Sequence, residues 1–111
     1  MRIWDLPPKN LCRKHLLGEH RELHAIWTVL TQGKKGYSKH PETIRWHGKL
    51  KALYLRHEAL VAEMKKRGYK HNSDLDKKLA SGSSKQNIFI NSIEEQRALL
   101  AAKGCDCNKL K

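Results

Sequence analysis

Two groups in this chain of 111 residues have the chemical character and the surroundings to take part in a reaction. The first is Glu22, in the run HLLGEHREL at residues 15–23. Read as helix, the run places Glu22 about 100° from Leu23 and about 40° from Ile26, on the edge of an apolar stripe. His15 and Glu19 share its face, while the neighbouring Arg21 points elsewhere and is not obliged to neutralise it. Two readings compete for such an acid. It is a boundary carboxylate paired with a Lys or Arg of the following helix, or it is a partly desolvated acid with raised proton affinity, able to exchange a proton with a substrate.

The second group is the α-amine of Met1. Initiator methionine is trimmed only before a small residue, so Arg2 is expected to preserve Met1. An unperturbed α-amine titrates near pH ~7.7–8.0, against about 10.4 for lysine, and is partly unprotonated at neutral pH. Repulsion by Arg2 and Arg21 lowers it further. Such an amine is a nucleophile for carbon at the aldehyde oxidation level. A frayed terminus is the competing reading, but the apolar Ile3, Trp4 and Leu6 are expected to pin the arm to the core.

Metal chemistry is not expected. Cys12, His15, His20 and His24 have ligand-like spacing but point around most of one helix. His20 and His24 could share a cation at i, i+4, yet no fixed third ligand is evident. Cys105 and Cys107 fall in a C-terminal tail, residues 105–111, that is expected to fray. An odd cysteine count, three, makes no disulfide framework.

The elements that must position these groups read as helices. Leu, Lys, Ala and Glu abound, Val occurs only at 29 and 61, and no run alternates as a strand would. Pro7 and Pro8 suit a helix start. A first helix is expected from about Asn10 to Gln32, with Leu16, Leu23, Trp27 and Leu30 facing inward. After the basic turn at 33–41, a second helix is expected from Glu42 or Thr43 to Gly68, with an inner stripe of Ile44, His47, Leu50 or Lys51, Tyr54, His57, Val61 and Met64. Residues 69–90 read as loop, with SGSSKQN its most mobile stretch. Ser92-x-x-Glu95 is a capping box that starts a third helix ending near Lys103. The expectation is an all-α fold: a single compact domain of three main helices with long irregular connections.

Charge points to the partner. The chain carries 23 Lys+Arg against 11 Asp+Glu, net +12, and residues 31–72 hold most of the excess. A field of that strength favours a polyanion, with nucleic acid the default partner. Lys34, Lys35, Lys39, Arg45, Lys49 and Lys51 can track phosphates, and Trp46, Trp4 and Tyr37 can stack or wedge at a bent step. Core packing is the competing fate of Trp4 and Trp27. A membrane surface calls for a basic amphipathic helix with aromatics on one face, and the tryptophans are scattered instead. No apolar run approaches a span and no signal peptide is evident, so a cytoplasmic, nucleoid-associated monomer with no obligate protein partner is expected.

The opening MRI, the run HLLGEHREL at 15–23 and EALVAEMKKRGY at 58–69 resemble the pyrimidine dimer DNA glycosylases of the phage endonuclease V type. The order and spacing agree from residue 1 to about residue 72, and more faintly over the third helix. The resemblance implies an all-α DNA repair enzyme, a DNA glycosylase and abasic-site lyase whose partner is double-stranded DNA damaged at pyrimidine dimers. In it the N-terminal amine attacks C1′ of the damaged nucleotide, a Schiff base forms, and β-elimination nicks the strand. It places the amine on Met1 and the essential acid on Glu22. It puts phosphate-gripping arginines at Arg2 and Arg21, a site histidine at His15, and a DNA contact from the third helix at Arg97. No metal or organic cofactor is implied.

Three departures bear on lesion preference. His24-Ala25 replaces a Pro-Arg pair after Arg-Glu-Leu, nothing aromatic follows Phe89, and the connection between the first two helices is shorter. The alternatives are the same chemistry on another lesion, such as simple abasic sites, and a non-catalytic basic module that only binds nucleic acid.

Overall fold

A computed structural model describes residues 3–33, 39–70 and 74–102. Within these the chain is helical, with no strand among the described residues. A 3-10 turn at Pro8–Asn10 leads into α1, Arg13–Gln32. A single turn follows, α2, Pro41–Ile44; then α3, Leu50–Lys66; and finally α4, Ile93–Ala102. The all-α expectation with three main helices is met.

The core lies between α1 and α3. Leu16, Leu23, Ile26 and Trp27 from α1 meet Leu53, Leu60 and Met64 from α3 in one buried cluster. Burying each such side chain contributes on the order of 1.5–3 kcal/mol, which is what holds two polar-faced helices side by side. Trp4 and Trp27 are packed in the core, and Leu30 packs against its edge.

The second helix of the sequence reading is broken in two. α2 stops at Ile44, a turn follows, and Gly48 adopts φ +72°, a left-handed conformation that resets the phase before Leu50. The inner stripe therefore fails upstream of the break. Ile44 is 52% exposed and His47 is exposed, while Thr43 and Trp46 are buried in their place. Trp46 donates its indole N–H to Glu42 and is 2% exposed, so the expected wedge is a core residue.

The start of α3 has no side-chain cap. The segment at 81–83 caps it instead: Ser81 and Ser83 carbonyls accept the N–H groups of Lys51 and Ala52 at 2.8 and 3.0 Å. Gly82 (φ +82°) crosses Gly48 so closely that a Cβ would lie 2.2 Å from the Gly48 carbonyl oxygen. The stretch expected to be most mobile is thus stitched to a helix N-terminus, because four unpaired N–H groups there need acceptors. The Ser92–Glu95 capping box forms as read, with both of its reciprocal hydrogen bonds.

Three arginines fasten the N-terminal arm, residues 3–12, to this frame. Arg45 donates to the Ile3 carbonyl, Arg56 to that of Leu6, and Arg67 to those of Pro8 and Leu11. Ile3, Trp4 and Leu6 are buried beneath them, as their apolar character led us to expect.

Candidate functional site

The N-terminal half of α1 and the arm that crosses it build the site. Glu22 is half-buried, between the fully buried Leu23 and Ile26. Among the described residues its carboxylate makes no hydrogen bond and no ion pair. The boundary ion pair considered for Glu22 exists one turn earlier, on Glu19. Both Glu19 oxygens take Arg56 N–H groups, at 2.6 and 3.0 Å, and Glu19 Oε1 also accepts the Trp4 backbone N–H at 2.9 Å. Burial pushes the Glu19 carboxyl above the usual carboxylate range, against the pull of Arg56 and the Trp4 N–H.

Gly18 lies one turn before Glu22, and a Cβ built there meets no described residue within 4 Å. His15, a turn further back, is half-buried; its Nδ1 lies 3.2 Å from Cys12 Sγ and its ring stands edge-on to Trp4, centroids 6.0 Å apart. Arg21 is exposed, with no partner for its guanidinium among the described residues. A half-buried acid, a small-residue approach and an exposed cation on one helix suit a ligand that brings a phosphate alongside a reacting carbon.

Met1 and Arg2 lie outside the described residues, as do Lys34, Lys35, Tyr37, Cys105 and Cys107. Of the remaining candidates, Arg97 is exposed on α4, next to Gln96, whose side chain both accepts the Asp5 N–H and donates to the Asp5 carboxylate. Lys49 reaches back to Gln86 and Asn87 and so holds the loop before α4.

Arg45 does not sit where a phosphate tracker should. It is 3% exposed, and four hydrogen bonds tie it to Glu42, Asp5, and the carbonyls of Ile88 and Ile3. Four of its five donors are used inside the protein. A guanidinium in a +12 chain looks like a polyanion contact in sequence, but this one satisfies two backbone carbonyls and two acids.

Residues that the sequence did not single out do much of the positioning: Glu19, Arg56, Arg67 and Gln96. Only Glu19 carried a signal, by sharing the face of Glu22. The third histidine that the metal reading lacked is also present. His57 from α3, 0% exposed, points its Nε2 at those of His20 and His24.

No helix among the described residues is long and apolar enough to cross a membrane. The family model described as pyrimidine dimer DNA glycosylase matches residues 1–77. No curated protein and no solved structure matches the chain.

Proposed function

The chain belongs to the pyrimidine dimer DNA glycosylase family, whose substrate is DNA, and from that premise we propose that it is a glycosylase with abasic-site lyase activity using its own N-terminal amine. The Met1 nitrogen attacks C1′ of the damaged nucleotide and the glycosidic bond breaks, the base leaving with the bonding electrons. Ring opening gives a Schiff base between that nitrogen and C1′. Loss of a C2′ proton then expels the 3′-phosphate and nicks the strand.

Glu22 protonates or stabilises the sugar-derived intermediate and assists removal of the C2′ proton. Arg2, Arg21 and Arg97 grip phosphates, with His15 beside the sugar. Lys49 and Arg45 support this surface from behind by holding loop and arm. A dimer-containing step is already poorly stacked, so opening DNA there costs less, which favours the lesion without base-edge readout.

The observation that carries this reading is the fastening of the arm. Trp4 is hydrogen-bonded to Glu19, one helical turn from Glu22. At most roughly 10 Å of extended chain separates the Trp4 nitrogen from that of Met1, and that short tether supports a reading in which the amine works beside the acid. The departure at His24-Ala25 supports a second reading, the same chemistry on another lesion.

Borohydride trapping on duplex DNA carrying a pyrimidine dimer or an abasic site tests both. A covalent adduct that vanishes when the Met1 amine is blocked supports the mechanism, and the lesion preference chooses between the readings. Salt-sensitive binding with no adduct on either DNA removes the enzyme and leaves the binding module.

A further inference from the structure

We propose that His20, His24 and His57 bind a divalent zinc-class cation that clamps α1 to α3. His20 and His24 stand one turn apart on α1, half-buried, and His57 comes from α3 with 0% exposure. Their three Nε2 atoms form a nearly equilateral triangle: His20 to His57 3.2 Å, His20 to His24 3.2 Å, His24 to His57 3.1 Å.

Hydrogen bonding alone does not account for this triangle. An imidazole Nε2 is either an N–H donor or a bare lone pair, whichever the charge of the ring. Of three mutually touching nitrogens, at least two must therefore be alike, and at least one contact sets proton against proton or lone pair against lone pair. His57 Nδ1 lies 3.2 Å from Glu58 Oε1. With its proton there, His57 presents a bare Nε2 to the centre.

A cation resolves the conflict, because all three nitrogens can then offer lone pairs to one acid. At a Zn–N distance of about 2.0–2.1 Å, tetrahedral ligands are roughly 3.3–3.4 Å apart, close to the triangle observed. Three neutral imidazoles suit a borderline cation such as Zn²⁺ over Mg²⁺ or Ca²⁺, which prefer oxygen. Glu58 completes the carboxylate–histidine pair that orients ligands in such sites and raises their basicity. A solvent molecule would supply the fourth ligand of the tetrahedron.

The clamp is structural. Positions 20 and 24 each lie about 200° around α1 from Glu22, so the cation faces α3 and not the acid. It joins the two longest helices, and that junction sets how α1 presents its opposite face.

The test uses the full chain, stripped with a chelator and titrated with Zn²⁺ or Co²⁺. The expected result is one equivalent bound, a visible tetrahedral Co²⁺ spectrum, and a Tm that rises with added Zn²⁺. His24→Gln and His20→Gln each abolish the Co²⁺ spectrum, Glu58→Gln weakens Zn²⁺ binding about 10–100-fold, and His47→Gln, an exposed histidine outside the cluster, changes nothing. A wild-type chain with no Co²⁺ spectrum and no Zn²⁺-dependent Tm overturns the proposal, as does tight binding that survives His24→Gln. Wild-type measurements decide the matter even if a variant fails to fold. The readouts are independent of nicking, so the site stands or falls apart from the glycosylase reading.

Discussion

The backbone N–H of Trp4 donates to the buried carboxylate of Glu19 across 2.9 Å, and so ties the start of the chain to the helix that carries Glu22. Arg56 completes the arrangement by donating to both Glu19 oxygens and to the Leu6 carbonyl. One ion pair therefore fixes two points on the arm. The path of the arm from Trp4 to Leu6 across α1 depends on it.

Glu19→Gln breaks that pair and leaves the Arg56 charge without its counter-ion. Loss of one partner of a fully buried pair costs about 3–5 kcal/mol; Arg56 is 15% exposed, so roughly 2–3 kcal/mol is expected from denaturant melts. The adduct in borohydride trapping should fall more than DNA affinity does, because the arm loosens while the surface cations remain. Equal losses in both would mean that the arm does not deliver the nucleophile.

Glu22→Gln should behave in the opposite way. The Glu22 carboxylate has no partner among the described residues, so unfolding free energy should change by no more than about 0.5 kcal/mol. Loss of an acid/base group should slow strand nicking by about 10²–10⁴-fold. Nicking at the wild-type rate would assign Glu22 to the solvated surface.

Arg21 and Arg45 should separate cleanly. Arg21→Gln removes an exposed cation, and should lower the slope of log K against log salt by about 1 with little change in Tm. Arg45→Gln strips four hydrogen bonds, two of them fully buried, and should cost on the order of 3 kcal/mol, read by melting before any DNA is added.

Gly82→Ala probes the stitch over α3. The added methyl meets the Gly48 carbonyl at 2.2 Å, in a left-handed conformation that alanine resists. A destabilisation of about 1–3 kcal/mol is expected. Hydrogen exchange should quicken first at Lys51 and Ala52, whose N–H groups bond to Ser81 and Ser83.

A pH dependence should appear in α4. The Ser92 N–H and hydroxyl hold the Glu95 carboxyl below its ordinary 4.5. A lowered folded value means that the ionised form supports the folded helix. Its contribution is complete above the unfolded value and fades as pH falls through the folded one. Protection of the α4 amides, taken relative to the intrinsic exchange rate at each pH, should therefore fall on acidification, and Ser92→Ala should blunt the change. A pH-independent α4 in the wild type would contradict this.

The helical class, the inward face of α1 around Leu16, Leu23 and Trp27, and the Ser92–Glu95 cap were legible because each depends on residues a few positions apart. The same holds for the family signature at 15–23. Chemistry readable in the residue types, an acid in a cationic chain and an amine ahead of Arg2, came from the sequence alone.

Tertiary structure decided which of several chemically equal residues are consumed internally. Glu19 and Glu22 lie on one face, yet Glu19 is taken by Arg56, 37 positions away, and Glu22 has no partner among the described residues. Arg45 and Arg21 carry the same charge, yet Arg45 is 3% exposed and drawn in to the Ile3 carbonyl and Glu42 while Arg21 is exposed. The break at Gly48 and the arrival of His57 beside His20 and His24 belong to the same class. Burial and charge pairing are settled by contacts between segments far apart in the chain, and no local period records them.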